Sequence, residues 1–234
     1  MLIRKVATNC QHPELRWNIL RTHTVMQCTL DKGSEEYEVY MKRAMRLASA
    51  VYPNAANDSE LARSKNRKMQ DAFGGVLAEQ GWLKFINQTY GLIASETQFE
   101  TANGQIDIVL KNGERIEVRS SFPRNGVKFA ICNERFNFKV IGAYSNLYKP
   151  GEVRKDFFAL VLFETKKDDI LTTDKVIFSL IGGATEEMMK KLGFTTDLVA
   201  DGDLTETTTR YQVVYVKDAW DINQFETWMK SYGY

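Results

Sequence analysis

Apolar positions recur along this chain with two different periods, and the expected elements follow from where each period holds. Over residues 34–51, Tyr37, Tyr40, Met41, Ala44, Leu47 and Val51 stand at helical spacing behind Ser34 as a cap, which predicts a helix that Pro53 stops. A second helix is expected from Asp58 or Ser59 to about Gln80, with Leu61, Met69, Phe73, Val76 and Leu77 facing the core and Gly81 ending it. The pair Gly74-Gly75 predicts a kink or break there, since a glycine inside a helix costs about 1 kcal/mol relative to alanine.

From residue 94 onward the pattern shifts toward alternation. Residues 94–100 and 105–121 read as extended, and Asn112-Gly113 is a strong hairpin signal. Further strands are expected at 127–132, 156–164, 175–181 and 211–217. Helices are expected at 185–192, between Thr185 and Gly193, and at 219–231, where Ile222, Phe225, Trp228 and Met229 share a face. The fold class is therefore α/β (α+β), with strands clustered in the middle of the chain.

Parity decides the register of the hairpin Gly104 to Ser121. A two-residue loop of Asn112 and Gly113 would put Asp107 across from Val118 and turn Glu117 to the opposite face, leaving both faces mixed. A three-residue loop of Asn112, Gly113 and Glu114, or an equivalent bulge, pairs Leu110 with Ile116 and Ile108 with Val118. One face is then aliphatic, and the other carries Gln105, Asp107, Val109, Glu117 and Arg119. An odd-length loop or bulge is thus expected. Two carboxylates on one face repel unless a cation, a proton or a basic side chain compensates. Magnesium suits them, since it takes oxygen ligands and keeps waters beside a phosphate. An amphipathic hairpin with a solvated polar face would show the same spacing.

Composition and charge narrow the function classes. Of the 234 residues, 44% are apolar and 26% charged, the balance of a folded chain rather than a disordered one. No apolar run approaches the roughly 18 residues of a membrane span, and the amino terminus lacks a signal-peptide pattern, so a cytoplasmic protein is expected. Cys10, Cys28 and Cys132 are scattered and odd in number, with only His12 and His23 to assist, which argues against a zinc site or a disulfide framework. The net charge of +1 hides an asymmetry. Residues 109–155 hold ten Lys and Arg against four Asp and Glu, whereas 156–234 hold eight against fourteen.

The run Gly104-x-Ile106-Asp107, nine further residues, then Glu117-Val118-Arg119-Ser120 resembles the signature of the PD-(D/E)XK nuclease superfamily, which includes restriction enzymes and Holliday-junction resolvases. That signature is an Asp, a variable hairpin and Glu-x-Lys. The resemblance implies a restriction-endonuclease-like central mixed sheet flanked by helices, with the hairpin at its heart and a helix just upstream. It further implies Mg²⁺ held by Asp107, Glu117 and the Val118 carbonyl, and phosphodiester hydrolysis leaving a 5′ phosphate. Arg119 stands where the family has lysine. Arginine cannot serve as a base, but it can orient a phosphate or stabilise developing charge. A helix glutamate of related nucleases has no clear counterpart among Gln70, Asp71 and Glu79. Gln70 is a catalytic candidate through its amide, or else a polar residue on an exposed helix face.

After the hairpin, Arg124, Lys128, Asn133, Arg135, Asn137, Lys139 and Lys149 are candidates for holding phosphates and reading base edges. A basic surface over a strand with aromatic core residues is the alternative. The chain is read as a single nuclease domain over 1–234, with residues 1–55 a helical amino-terminal extension and about 165–234 a carboxy-terminal elaboration. Such additions suit a restriction-type, Mg-dependent DNA endonuclease that binds double-stranded DNA as a homodimer. The alternatives are a Holliday-junction or repair nuclease, a catalytically compromised nucleic-acid binder of the same fold, and an α/β scaffold without activity.

Overall fold

The computed structural model describes residues 1–11, 19–50, 64–97, 106–133, 138–144, 153–198 and 209–234. A seven-stranded mixed sheet forms its centre, in the order β1-β2-β8-β7-β5-β4-β3. These strands are β1 (Leu2–Gln11), β2 (Ile19–Asp31), β3 (Ala94–Glu96), β4 (Ile108–Leu110), β5 (Arg115–Ser121), β7 (Phe157–Phe163) and β8 (Lys175–Thr185). Neighbours are antiparallel except β5 and β7, which run parallel. A smaller sheet joins β6 (Lys139–Tyr144), β10 (Thr209–Tyr215) and β9 (Phe194–Leu198).

Helices cover both faces of the large sheet. All seven residues of β7 are buried, as expected for a strand enclosed on both sides. Its odd-numbered residues Phe157, Ala159, Val161 and Phe163 join a core with α1 (Glu35–Ala50), α2 (Lys65–Tyr90) and α5 (Ile222–Ser231). The even-numbered Phe158, Leu160 and Leu162 join a second core with α3 (Gly126–Cys132), α4 (Glu186–Leu192) and the small sheet. The expected mixed sheet flanked by helices is present. Within it β5 is interior, while β4 is one strand from the edge, so the hairpin lies toward one side of the sheet rather than at its heart.

Four expectations need correction. The amino-terminal extension is not helical throughout: Leu2–Gln11 and Ile19–Asp31 pair as an antiparallel hairpin in the large sheet before α1 begins. The carboxy-terminal stretch is no outer addition either, because β8 lies between β2 and β7. Residues 127–132 form helix rather than strand. Val127, Phe129 and Ile131 suggest alternation, but Val127, Ala130 and Ile131 are the buried set, a helical spacing. Finally, α2 runs unbroken through Gly74, Gly75 and Gly81 to Tyr90. Gly81 is a packing residue and no terminator, since a Cβ there would stand 2.8 Å from the Phe178 ring. The helix is capped by Ser64, whose side chain accepts from Arg67 N–H; Asp58 and Ser59 lie outside the described residues.

A candidate catalytic hairpin

The β4–β5 connection is a three-residue loop, Lys111, Asn112 and Gly113. Leu110 N–H donates to Glu114 O at 2.9 Å and Gly113 N–H to Leu110 O at 2.8 Å. Gly113 sits at φ 91°, the left-handed position such a loop requires, and Asn112 Oδ1 accepts from Glu114 N–H at 3.1 Å. The odd loop agrees with the parity argument, but the register differs by two residues: Ile108 lies opposite Ile116 and Val109 opposite Arg115. Both registers keep Ile108, Leu110 and Ile116 on one face, where all three are buried. The observed one goes further, because the next residue outward, Asp107, falls opposite Glu117.

Asp107 lies just beyond the end of β4, and its Oδ2 accepts the Val118 N–H at 2.7 Å. The N–H and C=O of one strand residue point to the same side. The Val118 carbonyl therefore faces the side where β4 has ended and Asp107 stands. Asp107 and Glu117 are 7% and 3% exposed, so neither carboxylate is on a solvated face. Glu117 instead lies between two basic groups, with Arg119 Nη2 at 2.7 Å from Oε1 and Lys155 Nζ at 3.6 Å from Oε2. Glu117 Oε2 is buried yet accepts no hydrogen bond among the described residues.

A third carboxylate approaches from α2. Burial, then the charge of Asp107, pushes the Glu79 carboxyl up to about 8, with Glu96 and Glu117 adding to the effect and Arg43 opposing it. Arg43, on α1, bridges Glu79 at 2.8 Å and Glu96 at 2.5 Å. Gln70 is buried rather than exposed. It precedes Glu79 by nine residues, about 13 Å along the axis at about 1.5 Å per residue, toward the end where Gly74 meets the Phe122 ring. Of the three helix positions considered from sequence, Glu79 is therefore the one that feels the hairpin carboxylates.

The phosphate-contact candidates are scattered. Arg124 and Lys128 are exposed, in the turn before α3 and on it. Asn133 is buried at the carboxy-terminal cap of α3, where its backbone N–H donates to Phe129 O. Lys139 stands on β6 with Nζ 5.7 Å above the Tyr215 ring, and burial lowers its pKa. Gly104, Gln105, Arg135, Asn137 and Lys149 lie outside the described residues. Lys155 stands out in the sequence only as part of a basic stretch. The signal that marks it is position: a Lys-Asp pair directly before the wholly apolar Phe157–Phe163.

The donor set suits a hard cation. Magnesium is commonly bound through one or two carboxylates, with waters and phosphate oxygens completing its shell. Asp107, Glu117 and the Val118 carbonyl offer oxygens of that kind. Among the described residues no group of three or more His, Cys, Asp and Glu is gathered as a metal-holding cluster, so an all-protein cage is not what this hairpin offers.

No family model and no solved structure matches the chain. It is similar to an uncharacterized protein of Methanocaldococcus jannaschii, 29% identical over 125 residues, which cover 48% of this chain. The match spans 45% of that relative's length.

Proposed function

We propose that this chain is a magnesium-dependent endonuclease that hydrolyses phosphodiester bonds in double-stranded DNA, with its site on the polar face of the β4–β5 hairpin. The observation that carries this reading is the register that sets Asp107 opposite Glu117, both buried, with basic side chains beside them. Asp107, Glu117 and the Val118 carbonyl would hold the metal, which when bound supplies a Lewis acid beside the phosphate. Val118 N–H orients Asp107. Arg119 holds Glu117 and is placed to stabilise charge on a phosphate oxygen. Arg124 and Lys128 offer exposed charge for the DNA backbone soon after the hairpin. A restriction-type role and a homodimer that cuts both strands belong to the same proposal.

Plasmid cleavage with Mg²⁺ tests it. The wild type is expected to nick or linearise the substrate, and Asp107→Ala and Glu117→Ala to lose activity by about 100-fold or more, the scale of removing a group that stabilises the transition state. Cleavage at the wild-type rate in both variants would refute the assignment. A second reading, a DNA binder of this fold without catalysis, is favoured by one contact: Arg119 already occupies Glu117 at 2.7 Å. Salt-sensitive DNA retention with no cleavage in any divalent metal would select it.

A further inference from the structure

Arg119 occupies the hairpin's basic position, yet a second basic group reaches the same carboxylate from elsewhere in the chain. Lys155 precedes β7, the parallel neighbour of β5, and its side chain is 2% exposed with Nζ 3.6 Å from Glu117 Oε2. The backbone beside it is fixed on three counts. Asp156 N–H donates to Arg115 O at 2.8 Å, Asp156 Oδ2 accepts from Arg115 N–H at 2.9 Å, and Asp156 O accepts from Glu186 N–H at 3.0 Å. The ammonium is thus delivered to the hairpin by strand pairing, with little freedom in where its stem begins.

Burying an ammonium is unfavourable unless a carboxylate compensates, and lysine is among the residues least often enclosed. Glu117 does not need it for neutralisation, since Arg119 already lies 2.7 Å from Oε1. Two cations on one buried carboxylate place positive charge on the hairpin's polar face beyond what that glutamate requires. The 3.6 Å separation is an ion pair outside hydrogen-bond reach, so Oε2 is approached by charge and not by a directed bond. Resting on the nuclease reading above, we propose that Lys155 is the lysine of this site: its ammonium holds Glu117 Oε2 in the resting protein, and is placed to meet a phosphate oxygen when Glu117 turns to a divalent cation.

The test uses two readouts that a structural role would move together. Lys155→Met keeps length and removes charge. Without the competing cation beside Glu117, Mn²⁺ should bind the DNA-free protein about tenfold more tightly by calorimetry, through loss of like-charge repulsion. Single-turnover plasmid cleavage at saturating Mg²⁺ should nevertheless slow by about 100-fold. Lys155→Gln should behave alike. Arg119→Lys combined with Lys155→Met should recover about tenfold of the lost rate, because both side chains flank the same carboxylate. Cleavage at the wild-type rate in Lys155→Met overturns the inference and leaves the nuclease reading standing. Weaker Mn²⁺ binding together with slower cleavage, or failure of both single variants to fold, makes Lys155 structural and also overturns it. A wild type that neither cleaves DNA nor binds Mn²⁺ in an Asp107-dependent way overturns both.

Discussion

Glu79 feels more of the hairpin's charge than any residue outside it whose shift is resolved. Desolvation comes first and the negative charge of Asp107 second in raising its carboxyl above the ordinary value of 4.5, to about 8, in spite of Arg43 at 2.8 Å. The folded state therefore favours the neutral acid. Stability from this group is fully present below about pH 4.5 and is lost as pH rises through about 8. Glu79→Gln, which is neutral at every pH, should match the wild type near pH 4 and exceed its stability at pH 8 by on the order of 1–3 kcal/mol. Urea denaturation at the two pH values measures this, and an equal difference at both would dismiss the electrostatic account. Glu79 was visible in the sequence only as one of three polar helix positions. Its coupling to Asp107 depends on where α2 crosses the sheet, which no spacing along the helix records.

At the scale of elements, glycines separate local propensity from packing. A Cβ added at Gly75 would meet nothing within 4 Å, whereas at Gly81 it would stand 2.8 Å from the Phe178 ring and 3.0 Å from Leu180 Cδ2. Gly75→Ala should therefore stabilise the protein by about 0.5–1 kcal/mol through helix propensity. Gly81→Ala should destabilise it by about 1–3 kcal/mol through overpacking. Chemical denaturation of the two variants distinguishes them, and a stabilising Gly81→Ala would contradict the close approach of α2 to β8. The hairpin shows the reverse balance, since Asn112-Gly113 and the aliphatic parity were enough to require an odd loop. The two-residue offset from the expected pairing was not legible, because both registers put the same residues on the same face. The helix at Gly126–Cys132 was missed because seven residues with apolar positions at 127, 129, 130 and 131 satisfy both periods.

Across the whole molecule, the chain's ends close the core that supports the hairpin. Helix α5 inserts Phe225 among Trp82, Phe85 and Phe157, with ring centroids 5.0, 6.0 and 5.1 Å away. Phe157 is in turn the β7 partner of Ile116, beside Glu117. Phe225→Ala should cost about 3–5 kcal/mol, and the loss should reach the hairpin as well as the carboxy terminus. Hydrogen exchange is the measurement: the Ile116 and Val118 amides should lose protection together with α5, and protection retained at the hairpin while α5 opens would show that the two are energetically separate. The amino-terminal strands belong to the same sheet through β8, so the large sheet draws on both halves of the chain.

The sequence by itself determined the mixed α/β class, most helices, the odd loop, and the shared face of Asp107 and Glu117, because each follows from periodicity or turn chemistry within about twenty residues. Only the tertiary structure decided that Lys155, thirty-eight residues beyond Glu117, reaches that carboxylate, and that residues 2–31 enter the sheet as strands. The reason is common to both. Which strands become neighbours is settled by burying faces against one another over long separations, and the local pattern of a segment specifies the face it offers but not the partner that covers it.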